Sequence, residues 1–243
     1  MDEIVCQVND GIKLIQKQGG HLFGSDAFLL SAFIRAHRDA CAVELGAGSG
    51  IISLLCVNRG RFSHVDALEV QPEMADIARR NVELNAMWDR VTVRNIDLRE
   101  FRGQADVVFS NPPYIKSDSG VHNPDSAKNA SRREIYGGLD DFISCASRVL
   151  VYGGSFYCVW RPDRLCDLIC AMRRHGIEPK RLCTVYPTPD ARPCLVLCEG
   201  RRGGNEGSLF MTPPFVLKNG DDDTDDCKYV YERGEFGERF TRP

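Results

Sequence analysis

The sequence predicts an α/β fold, with one mostly parallel sheet of seven strands and helices on both of its faces. Segments typical of strands and of helices alternate along most of the chain, which is the pattern of βαβ units and of parallel pairing. Residues 105–109 are valine-rich and continuously apolar, as expected for a strand that is buried on both faces. Residues 181–186 and 194–198 have no helix between them, so we expect them to close the sheet as a hairpin.

Local signals predict the individual elements. The apolar run 41–45 ends in a glycine-rich turn, and a helix is expected after it, from about 51 to 58. Pro72 can open a helix because its missing N–H is not needed at the first helical position, and apolar residues recur at helical spacing up to Val82. The remaining predicted elements are strands at 64–68, 90–96 and 156–160 and helices at 139–150 and 165–174.

Composition and charge restrict the class of protein. The chain carries a net charge of −3, and no apolar run approaches the roughly 20 residues that cross a bilayer. The acidic N-terminus lacks the basic start of a secretory signal, and the 11 cysteines form no Cys-x-x-Cys pair. These observations predict a cytoplasmic protein with buried thiols, no membrane segment and no metal site.

We expect one domain over residues 1–200, with a short N-terminal lead-in, and a C-terminal extension over residues 201–243. The extension is first glycine-rich and then acidic, with five aspartates at 221–226. A segment of this composition has little apolar surface to bury, so partial disorder is expected there.

A glycine-rich loop, Glu-Leu-Gly-Ala-Gly-Ser-Gly at 44–50, follows the first strand of the predicted sheet. Gly46, Gly48 and Gly50 allow the backbone to turn sharply and to approach a ligand that a Cβ would block. The start of the next helix offers free N–H groups. Taken alone, such a loop is also explained by a tight strand-to-helix turn or by a dinucleotide site.

Polar side chains at the ends of successive strands favour a ligand site over a turn that binds nothing. Ligands of open α/β sheets bind outside the carboxyl ends of the strands, and Glu44, Glu69, Asp97 and Asn111 all fall at such ends. The Glu69 carboxylate can accept hydrogen bonds from both hydroxyls of a ribose. The Asp97 carboxylate can reach the amine of an adenine.

The Glu-x-Gly-x-Gly-x-Gly form of the loop resembles the first motif of the class I, Rossmann-like S-adenosylmethionine-dependent methyltransferases, rather than the Gly-x-Gly-x-x-Gly of NAD enzymes. The resemblance implies that Glu44 lies near the methionine ammonium group of S-adenosylmethionine, while Glu69 holds the ribose and Asp97 the adenine. The implied cofactor-binding residues are Glu44, Gly46, Gly48, Gly50, Glu69, Asp97 and Asn111.

The fourth strand ends in Ser-Asn-Pro-Pro-Tyr at 110–114, the most specific motif of the chain. An amine on a base is a poor nucleophile because its lone pair is delocalised, and oxygens that accept from its N–H groups help to turn the lone pair toward a methyl group. Asn111 and the Pro112 backbone each offer such an oxygen, and Tyr114 offers an aromatic face for a flipped base. A rigid Pro-Pro turn is the simpler explanation of the motif taken alone.

The motif resembles that of amino-methyltransferases acting on adenine N6, cytosine N4, guanine N2 or the glutamine amide, so it indicates the reaction more firmly than the substrate. Residues 21–30 resemble the start of the bacterial tRNA(Val) adenine-N6-methyltransferase family, which modifies the purine beside the anticodon. This resemblance extends over most of residues 21–200 and implies N6-methylation of an adenine in tRNA. Phe23 and Asp26 are then expected to border the cofactor.

Binding of RNA requires cations, and candidates lie after the catalytic motif and after the fifth strand. They are expected to form a basic rim around the pocket, although each is also explained as solvated surface. The candidates are Lys116, Lys128, Arg132, Arg133, Arg161 and Arg164.

Three other functions stay open. A protein-glutamine N5-methyltransferase shares the motif but carries a helical substrate domain before it, and only about 40 residues precede Glu44 here. An rRNA guanine-N2-methyltransferase is the second alternative. A non-catalytic module that binds S-adenosylmethionine or RNA is expected to show degraded motifs, and both motifs are intact.

Overall fold

The computed structural model describes residues 3–8, 11–17, 24–113 and 137–241. The strands are β1 (Glu3–Gln7), β2 (Lys13–Lys17), β3 (Cys41–Leu45), β4 (His64–Glu69), β5 (Val91–Asn95), β6 (Ala105–Ser110), β7 (Leu150–Trp160), β8 (Ile177–Tyr186), β9 (Leu195–Arg202), β10 (Phe210–Met211), β11 (Phe215–Val216), β12 (Lys218–Asn219) and β13 (Asp222–Asp223). The α-helices are α1 (Ser25–Phe33), α2 (Ile51–Asn58), α3 (Pro72–Leu84), α4 (Leu139–Val149), α5 (Leu165–Arg174) and α6 (Asp225–Arg233), and 3₁₀ turns span Pro162–Arg164 and Glu238–Phe240.

The central sheet has nine strands in the described part of the chain. Seven of them run in the order β8-β9-β7-β6-β3-β4-β5, and β10 and β11 both pair with β8 at the edge. All neighbours from β7 to β5 are parallel, whereas β9 is antiparallel to both β7 and β8. The predicted fold class is confirmed, with two short edge strands in addition to the predicted seven.

Helices cover both faces of the sheet because alternate residues of a strand point to opposite sides. On one face, Leu45 of β3 and Val108 of β6 belong to the apolar cluster that includes α4 and α5. On the other face, Ala42 and Val107 from the same two strands belong to the cluster that includes α1 and α2.

Several predicted boundaries are wrong, most of all at the starts of β7 and β8 and at the end of β9. The helix expected over 139–150 ends at Val149, and β7 begins at once with Leu150, which pairs with Ala105 of β6. The strand β8 begins at residue 177 rather than 181, and the register of its pairing with β9 shifts next to Pro179. Glycines at the start of β7 and a proline inside β8 weaken the local strand signal, so pairing with the neighbouring strands decides where these two strands begin.

An antiparallel hairpin of β1 and β2, which the sequence does not predict, packs against α3. The fully buried Asn81 of α3 accepts from the backbone N–H of Ile15 at 2.7 Å and donates to the Ser49 carbonyl at 3.0 Å. Asn81 thus connects the hairpin to the glycine-rich loop that follows β3.

The C-terminal extension packs on the same core, whereas the sequence predicts partial disorder for it. Over residues 201–241, aromatic side chains supply the apolar surface: Phe236 and Phe240 are buried, and Tyr231 stacks on Phe28 of α1 with ring centroids 4.7 Å apart. The acidic stretch instead forms β13 and the start of α6, where the Thr224 hydroxyl accepts from a backbone N–H as a helix cap.

Two buried arginines connect the extension to the end of α1. Arg61 donates to the Gly234 carbonyl at 2.5 Å and also to a carbonyl just after α1. Arg181 donates to the carbonyls of Phe33, at 2.6 Å, and Phe240, at 3.1 Å. Each guanidinium therefore links α1 to residues near the end of the described chain.

Candidate active site

A cleft of about 240 Å³ opens at the carboxyl ends of the parallel strands, where β3 and β6 lie side by side. β3 has β4 as its neighbour on one side and β6 on the other, so the strand order reverses at β3. Open α/β sheets bind ligands at such a reversal of strand order. The lining residues are Gly46, Gly48, Leu68, Glu69, Val70, Gln71, Ile96, Asp97, Leu98, Asn111, Pro113 and Phe142.

The glycine-rich loop forms one wall of the cleft. Gly46, Gly48 and Gly50 have φ angles of 70°, 55° and 80°, in the left-handed region that favours glycine. Gly46 and Gly48 line the cleft, and a Cβ at Gly46 would lie 3.2 Å from the Phe142 ring. Gly50 lies outside the lining residues and instead forms the N-cap of α2. Two of the three glycines therefore face the ligand space, and the third turns the chain into the helix.

Glu69, at the end of β4, is 4% exposed and lines the cleft. Its carboxylate accepts from the backbone N–H of Gly48 at 2.8 Å and from that of Gln71 at 2.9 Å. The carboxylate is therefore held at the cleft wall by the loop and by its own turn, and each oxygen keeps further lone pairs for a ligand.

Asp97 follows β5 and also lines the cleft. The Arg99 guanidinium contacts both of its oxygens, with the closest approach at 2.5 Å, and the Arg99 backbone N–H donates to Oδ1 at 2.8 Å. These hydrogen bonds from Arg99 lower the pKa of the Asp97 carboxyl, so it stays ionised at neutral pH. An ionised carboxylate at this place can accept from an amine.

Glu44 lies beneath the loop rather than in the cleft lining. It is 1% exposed, and its carboxylate accepts from the backbone N–H of Ser53 at 3.1 Å and from the Ser53 hydroxyl. Burial raises the pKa of Glu44 from an ordinary value of 4.5 to about 8. The structure therefore places Glu44 against the first turns of α2, and it is not among the residues that line the cleft.

The buried Glu44 gives an expected pH dependence of stability. In the unfolded chain this carboxyl ionises above its ordinary pKa of 4.5, whereas the folded protein keeps it protonated up to about 8. Stability from Glu44 is therefore complete below pH 4.5 and is lost as the pH rises toward 8, by on the order of 5 kcal/mol. Glu44→Gln, which keeps an acceptor for Ser53, should abolish this loss.

Urea denaturation at several pH values between 4.5 and 8 measures the difference between the wild type and the variant. Parallel profiles for the two proteins would show that folding does not raise the pKa of Glu44.

The end of β6 carries the polar part of the catalytic motif. The buried Ser110 hydroxyl donates to the Leu45 carbonyl at 2.7 Å, which fixes the strand end against β3. Asn111 lines the cleft, and its Nδ2 donates to Asp26 Oδ2 at 2.9 Å. Pro112 is buried and is not among the lining residues. The strand end thus holds a carboxamide beside the loop and the two carboxylates.

Several predicted residues lie outside the described part of the chain, and others already have partners. Arg161 pairs with Asp163 at 2.8 Å, and Arg164 pairs with Asp167 at 2.7 Å. Arg161 and Arg192 both line a second groove, and Arg192 is not among the predicted cations. The predicted residues that lie outside the described ranges are Phe23, Tyr114, Lys116, Lys128, Arg132 and Arg133.

The predicted site also lacks the apolar residues that form the walls of the cleft in the structure. Val70 follows the acid at the end of β4, and Ile96 and Leu98 flank Asp97, so apolar residues next to strand-end acids are a usable signal. Phe142 reaches the cleft from α4, which no local pattern indicates. Together with the carboxylates, these walls suit a ligand that combines a flat apolar ring with hydroxyl or amine groups.

Two searches of the described ranges bear on other functions. Within residues 3–8, 11–17, 24–113 and 137–241, no group of three or more His, Cys, Asp or Glu side chains could hold a metal ion. None of the helices in these ranges has the length and apolar character needed to span a membrane.

Comparisons with known proteins identify the family. Residues 23–169 match the methyltransferase small domain family. The chain is 29% identical over 191 residues to a tRNA1(Val) (adenine(37)-N6)-methyltransferase of Porphyromonas gingivalis, with 73% of each chain covered. It is 24% identical over 207 residues to a protein of the same name from Dyadobacter fermentans, with 84% of this chain and 85% of that one covered.

Among solved structures, a predicted O-methyltransferase from Agrobacterium tumefaciens is similar with a TM-score of 0.71 and 21% identity, over 87% of this chain and 98% of that chain. At this level of identity the likeness shows the fold alone. The family match covers more than half of the chain, and the predicted family is confirmed: this protein belongs to the methyltransferase small domain family.

Proposed function

We propose that the protein transfers a methyl group from S-adenosylmethionine to the exocyclic N6 amine of an adenine in tRNA, at an anticodon-loop position. The observation that carries this proposal is the Asn111 carboxamide, which lies at the end of β6 in the cleft, with its Nδ2 bound to Asp26. It begins an Asn-Pro-Pro-Tyr motif beside a cleft that suits a nucleoside.

The methyl donor is S-adenosylmethionine, which supplies an electrophilic methyl group on a sulfonium. The left-handed loop at Gly46 and Gly48 leaves room for it, because side chains there would fill the cleft. Glu69 would accept from the ribose hydroxyls, and Asp97 from the adenine amine of the donor. The apolar walls at Val70 and Leu98 would contact its adenine ring.

Glu69→Ala is expected to weaken the binding of S-adenosylhomocysteine by roughly 1 to 3 kcal/mol, because charge-assisted hydrogen bonds to the ribose are lost. Calorimetry measures the change. Asp76→Ala is the control, since Asp76 is an acid of α3 with a 65% exposed side chain and lies outside the cleft lining. Equal affinities of the wild type and Glu69→Ala would contradict the ribose role.

The residues of the motif account for activation of the amine. Asn111 Oδ1 and the Pro112 carbonyl would accept from the two N–H groups, which turns the nitrogen lone pair out of the ring plane. The methylated nitrogen becomes acidic and loses its proton to water, so this reaction needs no side chain as a base. Tyr114 would stack on the flipped base.

Basic side chains near the cleft and the names of similar proteins both support RNA as the substrate. The relatives described above are named as tRNA adenine methyltransferases. Arg161 and Arg164 follow β7, at the same end of the sheet as Asn111, and Arg192 extends this basic surface. Lys116, Lys128, Arg132 and Arg133 would complete a rim that contacts phosphates. A tRNA substrate would place the enzyme with the tRNA of the cytoplasm.

The test is tritiated-methyl transfer to total tRNA, total rRNA and release factors in parallel, followed by mass spectrometry of the product. We expect N6-methyladenosine in tRNA. Methylguanosine or methylglutamine alone would move the assignment to the rRNA or the protein methyltransferases. Binding of S-adenosylhomocysteine with no transfer to any of the three substrates would favour the non-catalytic module.

A further inference from the structure

The Asn111 side chain can present either of two chemically different ends to a substrate. Oδ1 only accepts hydrogen bonds and the Nδ2 amide only donates them, yet the two ends are almost equal in size. Packing alone therefore distinguishes the two orientations weakly. Activation of an amine requires the oxygen end, because the nitrogen end would meet the N–H groups of the amine with its own hydrogens.

Asp26 lies in contact with only one of these ends. Its Oδ2 accepts from Asn111 Nδ2 at 2.9 Å. A carboxylate oxygen accepts but does not donate, so this hydrogen bond can form only when the nitrogen end of the amide faces Asp26. Oδ1 then points away from Asp26.

We propose that Asp26 is a positioning residue that holds the oxygen end of Asn111 toward the amine to be methylated. This inference rests on the proposed function above and adds a residue to it. Asp26 is absent from the cleft lining, so it acts through Asn111 rather than by touching the substrate or the cofactor. The resemblance described above instead implies that Asp26 borders the cofactor.

The surroundings of Asp26 suit this task. Asp26 lies in the first turn of α1, and its other oxygen, Oδ1, accepts from the backbone N–H of Ala27 at 2.9 Å. A Cβ at Gly24 would lie 2.5 Å from the same oxygen, so the glycine leaves room for the carboxylate. The helix itself is anchored, because the side chains from Phe28 to Leu30 are at most 1% exposed. Asp26 therefore sits on a fixed element rather than on a loose loop.

Asp26→Ala is expected to lower kcat roughly 10- to 100-fold, while the affinity for S-adenosylhomocysteine and the KM for tRNA change by less than about threefold. Ser25→Ala is the matched control, because Ser25 is exposed in the same turn. A loss of cofactor affinity as large as the loss of kcat would overturn the positioning role.

An exchange of donor and acceptor separates orientation from folding. Asn111→Asp alone places two carboxylates in contact and should be strongly impaired. In the double variant Asp26→Asn, Asn111→Asp, the new amide can donate to the new carboxylate, whose other oxygen faces the substrate. We expect kcat of the double variant to exceed that of Asn111→Asp by at least about tenfold. Equal impairment of Asn111→Asp in both backgrounds would overturn the proposal.

NMR of the full-length protein tests the orientation without any substrate. The side-chain NH₂ of Asn111 should show one deshielded, slowly exchanging proton in the wild type and in Ser25→Ala, and this signal should be lost in Asp26→Ala. An unchanged signal in Asp26→Ala would reject the inference. If the signal is lost as expected but the wild type methylates none of the RNAs or proteins tested, the proposed function fails alone.

Discussion

Asn111→Ala is expected to lower kcat by on the order of 10² to 10³, which is the usual effect of removing one polar group aimed at the reacting centre. The acceptor works mainly while the amine nitrogen changes its hybridisation, and only interactions that are stronger in the transition state than in the ground state speed the chemical step. Cofactor affinity should change by less than about threefold, because Glu69 and Asp97 remain in place.

Single-turnover methylation of tRNA under saturating cofactor gives the rate of the chemical step, and calorimetry with S-adenosylhomocysteine gives the affinity. Asn85→Ala is the matched control, since Asn85 carries the same carboxamide, forms hydrogen bonds with the Lys13 backbone, and lies outside the cleft lining. Methylation by Asn111→Ala at the wild-type rate would show that the amine is activated in another way.

Arg181→Ala is expected to lower the free energy of unfolding by about 3 to 5 kcal/mol, because removing the buried partner leaves the buried Glu199 carboxylate with only the more distant, partly exposed Arg35. Arg181 is 1% exposed, its Nε lies 2.7 Å from Glu199 Oε2, and its guanidinium carbon lies 3.7 Å from the centre of the Phe33 ring. The change also leaves the Phe33 and Phe240 carbonyls without this donor.

Arg35 provides a control against the same carboxylate. Its Nε lies 3.3 Å from Glu199 Oε2, but its side chain is 41% exposed, so Arg35→Ala should cost less than about 1 kcal/mol. Denaturation of both variants at neutral pH gives the comparison. A loss below about 1 kcal/mol for Arg181→Ala would mean that water enters the site and replaces the guanidinium.

The order of strands and helices could be predicted because each element carries its own periodic pattern. The strand β3 and the helices α2 and α5 begin and end where the sequence predicts. The hairpin of β1 and β2 could not be predicted, since it is held by hydrogen bonds to Asn81 of α3 and to Asn85, which follows that helix. The packing of the extension could not be predicted from its polar composition, because a few well-spaced aromatic residues suffice to anchor it.

The candidate site could be predicted where a functional side chain follows a strand end directly, as for Glu69, Asp97 and Asn111. Glu44 satisfies the same rule, yet its carboxylate turns to Ser53 and away from the cleft. No pattern within a single segment indicates the contact between Asn111 and Asp26, because the two residues are 85 positions apart in the chain.

The two buried arginines also affect how the protein is made. A ribosome releases α1 early, but the aromatic rings that cover it, and the carbonyls that share Arg61 and Arg181 with it, belong to residues 231–240, which are synthesised much later. Until those residues emerge, Phe28 and Phe33 have an incomplete cover, and the nascent chain exposes apolar surface that chaperones can bind. Vectorial synthesis should therefore leave α1, the helix that carries Asp26, incompletely covered until residues 231–240 have emerged.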